Sequence, residues 1–505
     1  MKTTPFLTFL LCTLLSVQSI AQPAGKTNRI PLKHGAHRIG KRTDPDMQRW
    51  REYGLGQFIH WGIYAIPGGQ WNGKTSSYAA EWFRSSGLIT HEEYDNLYKN
   101  FNPKHFDATR WAKQAKQMGA RYLIFTTKHH DGFCLWPSKY TNYTIANTPY
   151  GKDIVKQIVD AYTAEGIDVY LYFSIIDWSH AGYHPGAPIT AADRLNWAGY
   201  TAFDNEEDKA RYETFKTFTR NQLIELLTNY PEAKGLWFDG SWEGAWIKEA
   251  AWADALGEEL RAMHPGLIIG SRFRADENGK RHEDTNGDLI DDYDQRFERN
   301  LPNTLAQTGG NDWDCVTTIP ENQWGYHRDW SLTYVKTPYD LIEMTVKANS
   351  LNGNLVINFG PDGDGNIRPE ETRIARETGR WMAANGDAVY GAHHSILEKQ
   401  DWGYATEKDG TTYLTVFNKP VNNLLRVKAP RSTEKDQVYV IQSARFRTTG
   451  KTAAIKDGGR DKSGAVYYDI VLPAEIRKLE EPFVIELKLK QVSQKEKAAY
   501  QQALT

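Results

Sequence analysis

Short apolar runs alternate with amphipathic runs between about residues 50 and 385, and this alternation constrains the fold more than any other feature of the chain. The strand-like runs are residues 56–60, 122–127, 169–174, 235–238, 267–270 and 355–359, and the helix-like runs are residues 108–118, 154–165, 208–228, 246–263 and 339–351. Near-continuously apolar strands separated by helices are typical of a parallel sheet that helices cover. The number of repeats predicts an α/β fold of the (β/α)8-like, TIM-type barrel, although the polar stretch 275–335 leaves strands six and seven unplaced.

The pattern of apolar and turn-forming residues changes after about residue 388. Short β-rich runs split by turn residues occupy residues 404–407, 412–418, 424–428, 438–442, 467–471 and 483–489. This spacing predicts a C-terminal antiparallel β-sandwich. We therefore expect the barrel over residues 22–386 and the sandwich over residues 387–505. Because no low-complexity linker separates them, the two domains should pack directly.

Residues 1–21 are predicted to be a signal peptide and not part of the fold. Lys2 precedes a short apolar core, and Ser19-Ile20-Ala21 has the small-x-small form of a cleavage site. The protein is therefore expected to be exported to the periplasm or secreted. The apolar core is too short to span a membrane, and no later run approaches about 20 apolar residues, so no membrane insertion is predicted.

Composition narrows the possible partners. The net charge is −2, which argues against a nucleic-acid partner. The 17 tryptophans and 27 tyrosines suit packing against the faces of sugar rings. After the signal peptide only Cys134 and Cys315 remain, and two buried free thiols are favoured over a disulfide because a domain of this size needs no cross-link.

Histidines stand at the predicted ends of two strands. His60 follows the run that begins at Phe58, and His129 and His130 follow the apolar run 122–127. The carboxyl ends of barrel strands form the mouth of the barrel, where functional side chains collect. For His129 and His130 the interpretations are binding of sugar hydroxyls, a structural role and a metal site, in that order.

Carboxylates and one arginine follow other strands. Asp239 ends a buried strand, and such a carboxylate either anchors a loop or acts in catalysis, for instance as a nucleophile in glycosyl transfer. The run 292–298 and Asp314 offer several candidates for a second carboxylate. Arg272 follows another strand and could orient a carboxylate.

The acidic segment around residues 284–292 is a candidate calcium site. Asp284, Asn286 and Asp288 alternate as oxygen ligands would, but the segment lacks the glycine and the glutamate of a calcium-binding loop. A solvated polar turn is therefore favoured. No metal and no cofactor is predicted.

The motifs together resemble glycoside hydrolase family 29, the retaining α-L-fucosidases. The resemblance rests on the run 58–62, the pair Glu81-Trp82, the run 128–136, the run 236–239 and the run 352–361, which match in order and spacing. It covers about residues 45–385 strongly and the sandwich weakly.

The resemblance implies hydrolysis of terminal α-L-fucose from a fucosylated oligosaccharide or glycoconjugate by double displacement, with Asp239 as the nucleophile. The residues matched to the fucose hydroxyls are His60, Glu81, Trp82, His129 and His130, and those matched to an apolar wall around its C6 methyl group are Phe58, Tyr172, Trp237 and Trp324. Arg272 is assigned to the same binding site. An apolar wall suits a 6-deoxy sugar, because the hydroxyl of another hexose would be desolvated there without a partner.

The acid/base is matched best by Glu298, which a proline follows four residues later. The Thr-Pro that usually precedes this glutamate is absent, and Arg296-Phe297 stand in its place. Asp314 and Glu321 remain alternatives. Since the acid must be protonated, its pKa is expected to be raised by burial or by the charge of Asp239.

Three alternative functions stay open at the level of sequence. An α-L-galactosidase of the same fold would need room for a C6 hydroxyl, and a catalytically silent fucose-binding protein would lack a second carboxylate near Asp239. A metal-dependent hydrolase would use His60, His129 and His130. Linkage preference, which depends on the loops 64–80, 178–205 and 275–325, and oligomeric state are also open.

Overall fold

The computed structural model describes residues 41–77, 79–183, 206–331, 333–497 and 500. The predicted signal peptide lies outside these residues, as does most of the predicted specificity loop 178–205. Of the helices that are described, none is long and apolar enough to cross a membrane.

The elements follow one another in a barrel-then-sandwich order. The strands are β1 Leu55–Ile59, β2 Gln70–Trp71, β3 Lys74–Thr75, β4 Tyr122–Lys128, β5 Asp168–Ser174, β6 Gly235–Asp239, β7 Ile268–Ile269, β8 Asp294–Glu298, β9 Trp313–Thr318, β10 Gly353–Phe359, β11 His393–His394, β12 Gly403–Lys408, β13 Thr411–Val416, β14 Leu424–Lys428, β15 Gln437–Phe446, β16 Ile455–Arg460, β17 Val466–Val471 and β18 Phe483–Ser493. The α-helices are α1 Pro45–Arg51, α2 His91–Asp95, α3 Ala108–Met118, α4 Ile154–Ala164, α5 Glu206–Asn229, α6 Gly244–Lys248, α7 Ala250–Met263, α8 Pro338–Ser350, α9 Pro369–Asn385 and α10 Ala474–Arg477.

Eight parallel strands form the predicted barrel. Their order is β7-β6-β5-β4-β1-β10-β9-β8. Next to the two end strands, the Ser271 amide donates to the Tyr293 carbonyl at 3.0 Å and the Asp292 amide donates to the Ile269 carbonyl at 2.9 Å, which closes the ring. The prediction of a (β/α)8-like barrel is confirmed.

The barrel interior is packed with large side chains. Its cluster includes Phe58, Tyr122, Tyr170, Tyr172, Trp237 and Val356, and Met47, Trp50 and Tyr53 from α1 and the residues after it join the same cluster. A barrel filled in this way is a core and not a pore. Ligand access is therefore confined to the mouth at the carboxyl ends of the strands.

The two strands that sequence could not place are β8 and β9. β8 reads Asp-Gln-Arg-Phe-Glu, and its polar side chains are satisfied by ion pairs such as Arg296 with Glu283. β9 contains a buried aspartate, Asp314, within the barrel. Neither strand shows an apolar run, and for that reason the periodicity of the sequence did not reveal them.

The C-terminal region forms two antiparallel sheets, β11-β12-β13-β18-β15 and β14-β17-β16. Their facing side chains share one core, to which Leu414 and Ile485 of the first sheet and Leu425 and Ile470 of the second contribute. The sandwich packs directly against the barrel. One such contact is the Trp381 indole, which donates to the Pro482 carbonyl at 2.8 Å.

Within the described residues, the two cysteines, Cys134 and Cys315, are buried and free, as the sequence predicts. Each lies on or beside a barrel strand, where it packs as a small apolar side chain.

A fully buried ion pair fixes the turn that follows β4. The Lys128 ammonium lies 2.9 Å from the Asp177 carboxylate and 3.1 Å from the Gln222 amide oxygen, and the side chains of the pair have no exposed area. The Trp178 amide donates to the His130 carbonyl at 2.8 Å, so the same two segments are also joined through their backbones.

We predict that Lys128→Met destabilises the barrel by about 3–5 kcal/mol, because it leaves the Asp177 carboxylate buried without its cation. The matched control is Lys116→Met, which breaks an exposed pair with Glu165 and should cost less than about 1 kcal/mol. Calorimetric melting temperatures of the two variants measure the difference. Equal lowering of the two melting temperatures would contradict the prediction.

Candidate active site

A pocket of about 350 Å³ opens at the carboxyl ends of the barrel strands. The predicted site residues that line it are Phe58, His60, Glu81, Trp82, His129, His130, Trp237, Asp239, Arg272, Glu298 and Trp324. Tyr172 is the one member of the predicted set that is not part of the lining. The structure thus brings together residues that are more than 260 positions apart in the chain.

Asp239 ends β6 and lies in a buried part of this pocket. Its Oδ2 accepts a hydrogen bond from the Tyr172 hydroxyl at 3.1 Å, and its Oδ1 is 3.1 Å from Nη1 of Arg272. The His130 Nε2 is 3.7 Å from Oδ2. Burial raises the pKa of Asp239 to about 6, with Arg272 opposing the shift and the charge of Glu298 adding to it.

Glu298 ends β8 and contacts the same arginine. Its Oε2 accepts from Nη2 of Arg272 at 2.7 Å. Burial favours a higher pKa for Glu298, but Arg272 and the nearby Arg299 outweigh burial, so that its pKa lies below the ordinary value. This direction is opposite to the raised pKa expected for the acid, because sequence reasoning did not place the arginine between the two carboxylates.

Arg272 is held in position by the strand that carries Glu298. Its amide donates to the Gln295 side-chain oxygen at 2.9 Å, and its Nε donates to the Gln295 carbonyl at 3.0 Å. Its guanidinium also lies over the Trp237 ring, 5.2 Å from the ring centroid. The forked guanidinium of Arg272 is therefore held in place without a ligand, and it joins Asp239 to Glu298.

The alternative acids occupy other places. Asp314 lies two residues before Val316 on β9, inside the barrel and outside the pocket lining, and burial raises its pKa well above the ordinary value. Glu321 is ion-paired with Lys336. Of the three candidates, Glu298 is the one that shares a guanidinium with Asp239.

His60 is fixed in one tautomer. The Asn358 amide nitrogen donates to the Trp324 carbonyl at 2.7 Å, so the Asn358 oxygen faces Nδ1 of His60, also at 2.7 Å. Nδ1 must therefore carry the proton, and Nε2 is left as an acceptor. Burial lowers the pKa of His60 to about 3, which keeps the ring neutral.

His130 follows the same logic. The Ser174 hydroxyl donates to the Ile176 carbonyl at 2.8 Å, so its oxygen accepts from Nδ1 of His130 at 2.6 Å. Nε2 of His130 is again an acceptor, and burial lowers the pKa of this ring to about 3. Two neutral imidazoles thus offer lone pairs and no positive charge to a ligand.

Glu81 and His129 keep unused polar atoms in the lining. Oε2 of Glu81 accepts from the Gly325 amide at 2.9 Å, whereas its Oε1 and Nδ1 of His129 are buried without a hydrogen-bond partner among the described residues. Burial raises the pKa of Glu81 to about 7. Unsatisfied buried polar atoms in a pocket indicate that a polar ligand completes them.

Aromatic rings form the opposite part of the lining. The Phe58 ring lies 5.2 Å from the Trp237 ring and 6.0 Å from the Trp324 ring, centroid to centroid. The placement of Tyr172 in this wall needs correction. Its ring stacks behind Trp237 at 5.4 Å, and its hydroxyl bonds Asp239, because on β5 the side chain points into the barrel core.

Sequence reasoning missed seven residues of the lining. They are Ser77, Ala79, Trp242, Arg299, Val316, Asn322 and Gln323. Val316 lies on β9, a strand that the sequence did not reveal, and the others lie in loops or turns, where no periodic pattern marks a residue as facing the pocket. Trp242 lies three residues after Asp239 and Arg299 lies directly after Glu298, and these neighbours were the available signal.

Carboxylate oxygens of the candidate calcium segment are occupied by hydrogen bonds and an ion pair within the protein. Oδ1 of Asp284 accepts from the Asn286 and Asp288 amides at 2.8 and 3.0 Å, as in a tight turn, and Asp292 is 2.6 Å from Arg261. Over the residues that the structure describes, no group of three or more His, Cys, Asp or Glu side chains is arranged to hold a metal ion.

Comparisons with known proteins show the family of the chain. A family model described as alpha-L-fucosidase matches residues 35–387. The tissue alpha-L-fucosidase of Rattus norvegicus is 26% identical over 412 residues, which cover 78% of this chain and 81% of that protein. The plasma alpha-L-fucosidase of Homo sapiens is 27% identical over 401 residues, which cover 75% and 77%.

Solved structures are more similar. A family 29 α-L-fucosidase from Bacteroides thetaiotaomicron, trapped as a covalent intermediate with 2-fluoro-fucosyl fluoride in a glutamate-to-glutamine mutant, is 45% identical, has a TM-score of 0.82, and covers 91% of this chain and 100% of that one. Isoenzyme 1 from Paenibacillus thiaminolyticus is 30% identical with a TM-score of 0.72, covering 88% and 99%. The chain belongs to the α-L-fucosidase family, glycoside hydrolase family 29.

Proposed function

We propose that the protein is an exo-acting, retaining α-L-fucosidase that removes terminal α-L-fucose from glycans or glycoconjugates. The observation that carries the proposal is the arginine-linked pair of carboxylates, Asp239 and Glu298, in a pocket of about 350 Å³ at the mouth of the barrel. The names of the relatives support the substrate. The trapped covalent intermediate of the Bacteroides enzyme supports double displacement.

In the first step Asp239 attacks C1 of the fucosyl group and Glu298 donates a proton to the glycosidic oxygen. The C1–oxygen bond to the leaving group breaks, the alcohol departs, and a fucosyl ester of Asp239 forms. In the second step Glu298 takes a proton from water, and the water oxygen bonds C1. The ester bond breaks, and the carboxylate of Asp239 and the proton on Glu298 are restored.

The reactive form of the pair carries one proton, on Glu298. In the empty pocket the arginine favours an ionised Glu298, whereas burial favours a protonated Asp239. The proton is thus shared by the pair, and its apparent pKa values belong to both groups. A substrate that lies against Glu298 weakens the contact between Glu298 and Arg272. The proton of the pair then moves to Glu298, which must donate it to the leaving group.

The hydroxyl groups of fucose fit the unused acceptors. Nε2 of His60 and Nε2 of His130 each accept from a hydroxyl, and the unpartnered Oε1 of Glu81 forms a hydrogen bond with another hydroxyl. Phe58, Trp237 and Trp324 offer the apolar surface that a C6 methyl group requires. An α-L-galactoside would place a hydroxyl on that surface at a desolvation cost, and it is the control substrate for the proposal.

We also propose that residues 1–21 act as a signal peptide and that the enzyme works in the periplasm or outside the cell. The expected result is that the protein recovered from the periplasm or medium of an expressing bacterium begins at Gln22, as read by N-terminal sequencing. Recovery of the uncut chain from the cytoplasm alone would contradict this.

We predict that Asp239→Ala lowers kcat/KM on 4-nitrophenyl α-L-fucoside by at least about 10³-fold, since the nucleophile is gone. Glu298→Ala should lose far less on this activated substrate than on a fucosyl oligosaccharide, where the acid contributes about 10²–10⁴-fold. Sodium azide should yield the β-fucosyl azide with Asp239→Ala, by direct attack at C1, and the α-fucosyl azide with Glu298→Ala, from the fucosyl-enzyme. The same anomer from both variants would contradict the assigned roles.

The pH profile of kcat/KM is predicted to be a bell whose alkaline limb lies near pH 6. Below the lowered pKa of the pair both carboxyls are protonated and no nucleophile exists, and above about 6 both are ionised and no acid exists. Glu298→Gln assayed on 4-nitrophenyl α-L-fucoside should lose the alkaline limb and keep the acid one, because nitrophenolate leaves without a proton. Persistence of the alkaline limb in this variant would contradict the assignment of Glu298.

A further inference from the structure

Three polar residues form a part of the pocket lining that the fucose site does not use. Arg299 follows β8 directly, and Asn322 and Gln323 lie in the turn that follows β9. All three lie beside Glu298 on the same side of the barrel mouth, because β8 and β9 are neighbours in the sheet.

The guanidinium of Arg299 has N–H donors without a hydrogen-bond acceptor among the described residues. Its nearest carboxylate oxygens, in Glu298 and Glu321, are 3.9 and 4.0 Å away, beyond hydrogen-bond distance, and Lys336 already neutralises Glu321. Nε of Arg299 is buried without a partner among the described residues. The backbone has φ +61°, a left-handed conformation that L-residues rarely adopt, and its amide donates to the Val316 carbonyl at 2.8 Å.

Gln323 offers the complementary group. Its side-chain oxygen Oε1 is buried and has no hydrogen-bond partner within the described part of the chain, although the residue lines the pocket. The turn that presents it is fixed by the Gln323 amide, which donates to the Pro320 carbonyl at 3.2 Å. Among the described residues, Arg299 and Gln323 thus contribute an unpartnered donor and an unpartnered acceptor to the lining of one pocket.

This space lies on the leaving-group side. Glu298 is the group that protonates the glycosidic oxygen, so atoms beyond that oxygen belong to the leaving group. The side chain of Glu298 is 31% exposed and that of Arg299 is 34% exposed, against 13% for Asp239, so the pocket widens past Glu298.

We propose that Arg299 and Gln323 form a subsite for the leaving group, and that the leaving group they select is a sugar. A sugar hydroxyl can accept a hydrogen bond from the Arg299 guanidinium and donate one to the Gln323 side-chain oxygen. A plain alkyl or aryl leaving group can do neither. The Trp242 indole, which follows β6, lines the same pocket and offers a ring face for a sugar to stack on. This inference rests on the proposed function and specifies the second half of its substrate.

The test compares two classes of leaving group. kcat/KM is measured on 4-nitrophenyl α-L-fucoside and on a panel of oligosaccharides in which fucose is linked α1→2, α1→3, α1→4 or α1→6 to galactose or N-acetylglucosamine. For Arg299→Lys and for Gln323→Ala, the ratio of oligosaccharide to nitrophenyl kcat/KM on the best oligosaccharide is expected to fall at least 10-fold. Arg299→Lys keeps a positive charge beside Glu298, so a change in the pKa of the acid is minimised.

The matched control is Arg328→Lys, in the segment that follows Gln323 but outside the lining of this pocket. The Arg328 guanidinium donates to the Ile66 and Pro67 carbonyls. This variant should leave the ratio unchanged. An unchanged ratio in both site variants, or hydrolysis of the nitrophenyl fucoside with no oligosaccharide of the panel, would overturn the inference, while the retaining α-L-fucosidase activity of the proposed function stands. If the parent protein cleaves neither class, the proposed function itself fails.

Discussion

The contact on which the active site depends is the fork of Arg272, which binds Asp239 and Glu298 at once. Two carboxylates buried in one pocket repel each other and lose hydration, and a cation between them offsets both costs. The arginine is itself anchored by Gln295, on the strand that carries Glu298. The spacing of the pair is therefore determined by the barrel and not by a loop.

The parallel barrel explains how distant residues meet. β1, β4, β6 and β8 all end at the same mouth, and each carries one member of the set His60, His130, Asp239 and Glu298 or ends one or two residues before it. The side chains of β5 and the residues of α1 fill the space beneath, so the pocket has a floor. Water is excluded from the floor, and that exclusion holds the histidines neutral and strengthens the charge interactions above them.

Sequence predicted the parts of this site that follow apolar strands. His60, His130 and Asp239 each stand at or just after the end of a buried run, which the pattern of the sequence makes visible. The strand before Glu298 escaped prediction because its polar side chains are paired with other charged residues and not with water. The predicted direction of the Glu298 pKa shift was wrong, because the shift depends on the contact between Glu298 and Arg272, which is 26 residues earlier in the chain.

The rim of the pocket was beyond sequence reasoning for a different reason. Arg299 and Asn322 adopt positive φ values, and such backbone conformations in non-glycine residues are set by tertiary contacts and not by local preference. The C-terminal sandwich was predictable as a class, since its strands alternate apolar and polar residues between turns. Its direct contact with the barrel followed from the absence of a linker.

The most direct test of the central claim is to trap the glycosyl-enzyme. The protein is incubated with 2-fluoro-fucosyl fluoride, digested, and examined by peptide mass spectrometry. We expect one added fluorofucosyl group on Asp239, and slower labelling of the Arg272→Met variant because the Asp239 carboxylate is then no longer held ionised. A label on any other residue, or release of inverted fluorofucose with no label, would contradict it.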